Sequence, residues 1–290
     1  MQQIDPLLFN PVHFHRLLLG SVAPRPIALA STLAPDGTPN LSPFSFFNAF
    51  GVNPATLIFS PSRRGRDNTT KHTFENLKVL PEVVINVVTY SMVQQTSLSS
   101  TEYPAGVNEF VKSGLTPIPS ERIRPMRVKE SPVQFECRVR EIIETGQGPG
   151  AGNLVICDIL LMHIDEEVMD AHSEIDQDKI DLVGRMGGNY YVRTGGDAKF
   201  IVPKPLARLG IGIDQLPEKI RFSHLLTGND LGQLGNVEKL PDDVVIKELI
   251  QELEDVAKVR QNPALLVEEA RNLLSREKPE AALALLLTYL

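Results

Sequence analysis

Apolar and polar positions alternate in short blocks through the first two thirds of the chain. Ile27, Leu29 and Leu33 interleave with Ala28, Ala30 and Thr32, so both faces of this block are mostly apolar. A strand of that composition is covered on two sides, as in the wall of a barrel. Pro35-Asp36-Gly37 then supplies turn chemistry for a hairpin. Ala55–Ser60, after the breaker Asn53-Pro54, and Val83–Val88, rich in β-branched residues, predict two further strands. Between them Thr70–Val79 predicts a helix with Thr73, Leu77 and Leu80 close to one face, and Pro81 ends it. Pro132–Glu144 and Asn153–Ile164 predict a long hairpin around the glycine-rich tip Gly146–Gly152, which lacks the lysine and following helix of a phosphate loop. Short helices fit Asp5–Leu19 and Ser91–Ser100, with Glu102–Gly114 expected as a surface excursion and Ser120–Pro132 as an extended connector. Many strands, few helices and short turns predict a mainly β domain, a closed or nearly closed barrel with peripheral helices.

The pattern changes after Gly196, which divides the chain into a domain over 1–196 and an extension over 197–290. Two apolar clusters broken by Gly and Pro fill Lys199–Leu240, and a helical tail follows. Asp242 and Asp243 suit the start of a helix carrying Val245, Leu249, Leu253 and Val256 on one stripe. Two more helices fit Pro263–Ser275 and Pro279–Leu290.

Composition narrows the function classes. The chain has 290 residues, 42% hydrophobic and 22% charged, which excludes wholesale disorder. A formal charge of −7 argues against nucleic acid as the main partner, because that needs a broad basic face. The longest apolar run, Ala281–Leu287, is far short of the roughly 20 residues that span a bilayer. The N-terminus lacks the pattern of a signal peptide, so the expected location is the cytoplasm. Cys137 and Cys157 fall in the two strands of the long hairpin and are expected as reduced, packed thiols unless the register places them opposite each other. They have no metal-ligand spacing. His163, His172 and His224 are isolated and read as structural.

The chemistry concentrates in Arg25–Leu77. Ser42, Phe44, Ser45, Phe46, Phe47 and Asn48 form a segment dense in small hydroxyls and aromatics, and Arg63–Thr73 is a basic, hydroxyl-rich loop feeding a helix. Main-chain amides and hydroxyls hold the edge of a flat polar ring, and a basic loop at a helix start suits a phosphate dianion. The same stretch is equally compatible with an ordinary three-strand edge carrying a solvated basic loop.

The order of pieces decides between these readings. The run RPIALASTLAPDGTPNLSPFSFFNAFGVNPATLIFS, then KHTFENL, EVVINVV, GVNEFVKSGLTPIPS, ESPVQFECRV and RMGGNYY, resembles the flavin reductase-like family of FMN-binding split barrels over roughly residues 15–195. The resemblance implies a split β-barrel pairing as a homodimer, FMN as cofactor and NADH or NADPH as electron donor. It implies that Thr32 and Ser45, with Ser31, are hydroxyl candidates for the ribityl chain and phosphate. The ring is then expected along the main chain near Phe46, Phe47 and Asn48, with at least one of the two phenylalanines in the core. Arg66, Asn68, Lys71 and Thr73 are ranked for the phosphate, and Arg63 and Arg64 as a solvated flank. The family's usual Lys-Asp-Thr stands here as Lys71-His72-Thr73, and His72 is expected to be exposed. Arg185–Tyr191 is either a cover over the flavin, from its own or the partner subunit, or a turn at the dimer interface. No catalytic side chain and no metal are expected, since the cofactor carries the reaction. Three functions follow: an NAD(P)H-driven flavin reductase, a flavoredoxin-like electron carrier, or a non-enzymatic module whose helical tail binds a partner.

Overall fold

A computed structural model describes residues 1–202, 209–251 and 262–290. It divides into two compact units, Met1–Phe200 and Ile201–Leu290.

The first unit is built on one seven-stranded antiparallel sheet. Its strands are β1 (Ala28–Leu33), β2 (Pro39–Phe44), β3 (Phe47–Val52), β4 (Ala55–Phe59), β5 (Glu82–Val87), β8 (Val133–Glu144) and β9 (Asn153–Ile164), with β6 (Pro117–Ile118) pairing β7 (Arg127–Val128) separately. The order across the sheet is β2-β1-β5-β8-β9-β4-β3. The two edge strands are therefore consecutive in the chain, joined only by Ser45 and Phe46. That link spans at most about 11 Å, whereas seven flat strands would be about 29 Å across. The sheet must roll. Phe44 of β2 meets Phe59 of β4 with ring centroids 5.5 Å apart, and both belong to one cluster with Ala28, Ala30, Val83, Ile85, Cys137, Val155 and Cys157. The hydrogen-bonded ladder nevertheless stays open between β2 and β3, so no closed barrel forms where a closed or nearly closed one was expected.

Helix α2 (His72–Val79) buries Thr73, Phe74, Asn76 and Leu77, and Leu77 packs into that inner cluster. Burying each such apolar side chain contributes about 1.5–3 kcal/mol. The outer face of β1 and β2, through Ile27, Leu29 and Leu41, packs on Met92, Val93, Phe110, Leu115 and Val183. Those residues come from the turn before α3 (Val93–Leu98), from α3 itself, from α4 (Glu109–Ser113) and the stretch after it, and from β10 (Val183–Arg185). β10 pairs with β11 (Tyr191–Arg193). The stretch Glu102–Gly114 thus holds a helix whose Glu109 and Phe110 are buried, where a surface excursion was expected. Helix α1 (Pro11–Ser21), capped by the Asn10 side chain, buries none of its residues.

In the long hairpin Cys137 faces Ile159 and Cys157 faces Val139, so the sulfurs are offset and both thiols are free. Burial pushes the Cys157 thiol up to about 12. His163 Nε2 lies 2.7 Å from Glu136 Oε1, whose carboxylate also accepts the Glu121 and Arg122 amides.

The second unit contains α5 (Glu218–Arg221), α6 (Gly228–Leu234), α7 (Asp243–Gln251), α8 (Pro263–Ser275) and α9 (Pro279–Tyr289). Its core joins Leu216, Ile220, Leu234, Leu266, Leu273, Leu283 and Leu286. Thr227 and Asp230 form a capping box on α6, and Arg271 of α8 bridges to Asp230 at 2.8 Å. Leu253 and Val256, expected on the stripe of α7, lie outside the described residues. Among the described residues no helix is long and apolar enough to cross a membrane.

Candidate functional site

The start of α2 is fixed by a buried polar chain. Thr73 Oγ1 donates to Asn40 Oδ1 at 2.9 Å, and Asn76 Nδ2 donates to Thr32 Oγ1 at 3.0 Å. Thr32 Oγ1 lies 3.3 Å from Asn40 Oδ1, and Asn40 Nδ2 donates to Glu109 Oε1 at 3.1 Å. The other Glu109 oxygen accepts the Leu41 amide at 3.0 Å. Because Leu41 points its N–H away from β1, alternation in an antiparallel pair turns the main chain of Pro43 the same way. One edge of the sheet therefore faces α4 rather than another strand.

A small pocket sits at this place, lined by Asn40, Ser42, Arg64, Lys71, His72, Thr73, Ser99, Ser100, Thr101, Glu102, Tyr103 and Glu109. It is rich in donors at the start of a helix, where peptide dipoles favour an anion. Arg64 reaches it because the loop folds back: the Asn68 amide donates to Arg64 O at 3.0 Å and the Arg64 amide to Thr69 O at 2.8 Å. The Arg64 side chain is only 14% exposed, bridges to Glu102 at 3.2 Å and donates to Thr69 Oγ1 and Thr70 O. It is a pocket wall rather than a solvated flank. His72 is half-buried on the same wall.

Lys71 is the exceptional member. Among the described residues its ammonium has no hydrogen bond or ion pair, and burial, then the charge of Arg64, holds its pKa below the usual lysine value. An unpartnered, half-buried cation is costly unless an anion joins it.

The small pocket and a wider cleft share Ser100 and are linked along β2 by Ser42 and Pro43. The cleft has a volume of about 540 Å³, and its walls include Ser45, Tyr90, Thr96, Arg185, Tyr191 and Arg193. Arg185 lies 4.5 Å over the Tyr191 ring and Arg193 lies 4.3 Å over the Tyr90 ring, giving flat stacked surfaces. Among the described residues Thr96 Oγ1 is buried there without a hydrogen-bond partner. Ser31 Oγ, on β1 and away from both cavity walls, is likewise buried without a partner among the described residues. An orphaned hydroxyl at Thr96, an unpaired ammonium at Lys71 and stacked planes fit a ligand with a phosphate at one end and a flat polar ring at the other.

The structure brings Ser45, Lys71 and Thr73 to this groove. Thr32 is fully buried in the polar chain beneath it. Arg66 points outward, paired with Asp67 at 3.0 Å and Glu102 at 2.8 Å. Asn68, at φ 58°, serves the loop: it accepts from Arg63 Nε and donates to Gln147 O in the glycine-rich tip. Phe47 packs against the inner cluster, Phe46 is 37% exposed, and Asn48 Oδ1 accepts the Ala49 amide. Ser99, Ser100, Thr101 and Arg64 are the wall residues missed from the sequence. The hydroxyl run Ser97–Thr101 was the available signal.

Comparison with known proteins points the same way. A family model described as flavin reductase like domain matches residues 19–179. A relative from Aquifex aeolicus, itself uncharacterized, is 36% identical over 188 residues, covering 65% of this chain and 93% of its own. Nitrilotriacetate monooxygenase component B from Bacillus cereus superposes with a TM-score of 0.65 at 27% identity, covering 70% of this chain and 98% of that one. Pseudomonas fluorescens 2-nitrobenzoate 2-nitroreductase does so with a TM-score of 0.62 at 27% identity, over 72% and 100% of the two chains.

Proposed function

Because the chain belongs to the flavin reductase-like domain family, we propose that it is an FMN-dependent oxidoreductase in which NADH or NADPH reduces the flavin. The first unit is then the flavin-binding split barrel, its roll left open between β2 and β3, and two copies pair as a homodimer in the cytoplasm. The single observation that carries the reading is the unpartnered Lys71 ammonium beside Arg64 at the start of α2, in a pocket that runs along β2 into the wide stacked cleft.

In this reading Lys71 and Arg64 take the phosphate with charge-assisted hydrogen bonds, and the hydroxyls of Ser42 and Thr101 fill remaining acceptor sites, while Ser99 and Ser100 donate theirs to Thr96 O and Ser97 O and shape the wall. Thr73 and Asn76 do not touch it; they hold α2 against β1 and β2 so that the helix start faces the pocket. Ser45 and Thr96 face the ring end, and Tyr191 with Arg185 forms its cover. When bound, the flavin supplies the hydride-accepting chemistry, while the chain orients it and screens it from solvent.

The test is an anaerobic absorption spectrum of the purified protein with FMN, before and after NADH or NADPH. The expected result is a flavin spectrum that bleaches on adding the nucleotide. A protein that takes up no FMN, or whose bound FMN neither nucleotide bleaches, overturns the assignment.

A further inference from the structure

Arg185 stands on the wall of the wide cleft, and Arg25 lies buried behind it, beside Ser45 of the same wall. Arg25 and Arg185 face each other through main-chain hydrogen bonds in both directions, at 3.0 and 2.8 Å. The Arg25 residue is 4% exposed. Its guanidinium donates to Leu19 O at 2.6 Å, to Val22 O and to Met186 O at 3.0 Å, and its Nε lies 3.4 Å from Ser45 Oγ. Arg185 stacks on Tyr191 and donates to Gly188 O at 2.8 Å. Among the described residues neither guanidinium has a carboxylate within ion-pair distance. Arg193, on the same cleft wall, differs: it pairs with Asp181 at 2.7 Å.

Carbonyl oxygens satisfy the hydrogen-bonding needs of Arg25 but leave its charge uncancelled. Burial, then the neighbouring Arg185, holds the Arg25 pKa below its ordinary value, so the two charges feel each other. Placing a second cation beside a buried one is costly, and the cost is recovered only when negative charge arrives nearby. Ser45 and Arg185 are both on the cleft wall, so the field of the pair enters the cleft.

We propose that Arg25 and Arg185 form a fixed positive pole that holds the negative charge appearing on the flavin ring when it is reduced, so that this protein binds reduced flavin as an anion and more tightly than oxidised flavin. This rests on the flavin reading above. The balance is simple. The nicotinamide C–H bond breaks and a new N–H bond forms on the ring. The hydride carries two electrons and one proton, the nicotinamide leaves as a cation, and the previously neutral ring becomes an anion. With the pole in place no second proton is needed. Preorganised charge aimed where charge develops is an effective form of stabilisation.

The experiment measures FMN dissociation constants anaerobically, oxidised and after dithionite reduction, for the unaltered protein, Arg185→Gln and Arg185→Lys. The preference for reduced over oxidised flavin should fall about tenfold in Arg185→Gln, the effect of losing one opposite charge at several ångströms. It should persist in Arg185→Lys, which a merely structural role for the stacked guanidinium would not restore. In case the glutamine variant fails to fold, proton uptake is read on the unaltered, FMN-loaded protein during photoreduction at pH 6. One proton per two electrons is expected; two would overturn the proposal. FMN that binds with the same preference in Arg185→Gln overturns this inference alone, whereas no FMN uptake by the unaltered protein overturns it together with the proposed function.

Discussion

The two edges of the seven-stranded sheet are finished in opposite ways. β2 is dressed: Glu109 takes the outward Leu41 amide, Asn40 is held by Thr73 and Glu109, and Ser42 lies on a pocket wall. β3 is bare, with every position after Phe47 exposed, including Phe50 at 63% and Val52 at 94%. Both strands carry the unpaired main chain that makes an edge a hazard. At β2 the hazard is removed by buried side chains, and the space between strand and helices becomes a groove. At β3 nothing among the described residues removes it, and two large apolar side chains are exposed. An edge covered from within can shape a ligand site, whereas a bare apolar edge suits a second copy of the chain.

The comparison breaks most sharply at Glu109. Glu109→Ala leaves the Leu41 amide and the Asn40 side-chain amide without their acceptor inside a dry region. Each such loss costs about 1–3 kcal/mol, so the variant should unfold at a lower urea midpoint, equivalent to about 4 kcal/mol. At the other edge Asn48→Ala, which removes only an exposed contact to the next amide, should stay within about 0.5 kcal/mol. Equal effects at the two edges would mean that β2 is not held by this carboxylate.

Next comes the ligand. Arg64→Ala combined with Lys71→Ala should weaken FMN binding about 100-fold by equilibrium dialysis, the loss of two charge-assisted contacts. Arg66→Ala should change it little, because Arg66 is spent on Asp67 and Glu102. The reverse ranking would move the phosphate to the outer face of the loop. On the β3 side, Phe50→Glu with Val52→Lys should raise the dissociation constant of the proposed homodimer roughly 30-fold in analytical ultracentrifugation, matching about 2 kcal/mol of lost apolar burial. An unchanged sedimentation profile would mean that this edge is not where the copies meet.

The sequence made β1, α2, the long hairpin and the two last helices legible because each has a periodic apolar pattern bounded by Pro or Gly. It did not show the wall at Arg64. That side chain is turned inward by the backward fold of Arg64–Thr69, which needs Asn68 in the left-handed region. Asn tolerates that conformation better than other side-chain-bearing residues, so RDNTT carried a turn signal that polarity alone hid. Nor did it show Glu109, because one acid in a polar stretch looks solvated until the strand 68 residues away presents its amide. Ranking Arg66 and Asn68 with Lys71 followed charge and sequence proximity, and only the loop geometry separates them.

The smallest effect concerns pH, and it separates the dressed edge from a merely basic loop. Burial, then Arg64, lowers the pKa of Lys71 below 10.5 in the free protein. As pH rises, the ammonium therefore loses its proton earlier than an exposed lysine does, and the phosphate loses one of its two cations. FMN affinity should thus be constant through neutral pH and fall several-fold in the alkaline range, with its onset below 10.5. The bound phosphate favours the charged form, so binding on the alkaline limb should take up protons, visible as a dependence of the calorimetric heat on the ionisation enthalpy of the buffer. For stability the sign is opposite. A lysine whose folded pKa is depressed penalises the folded state while charged, so the flavin-free protein should gain slightly in stability as pH climbs through the lowered value toward 10.5. Lys71→Ala should abolish both trends together. An alkaline fall in affinity that survives Lys71→Ala would assign the titration to another group and remove Lys71 from the phosphate site.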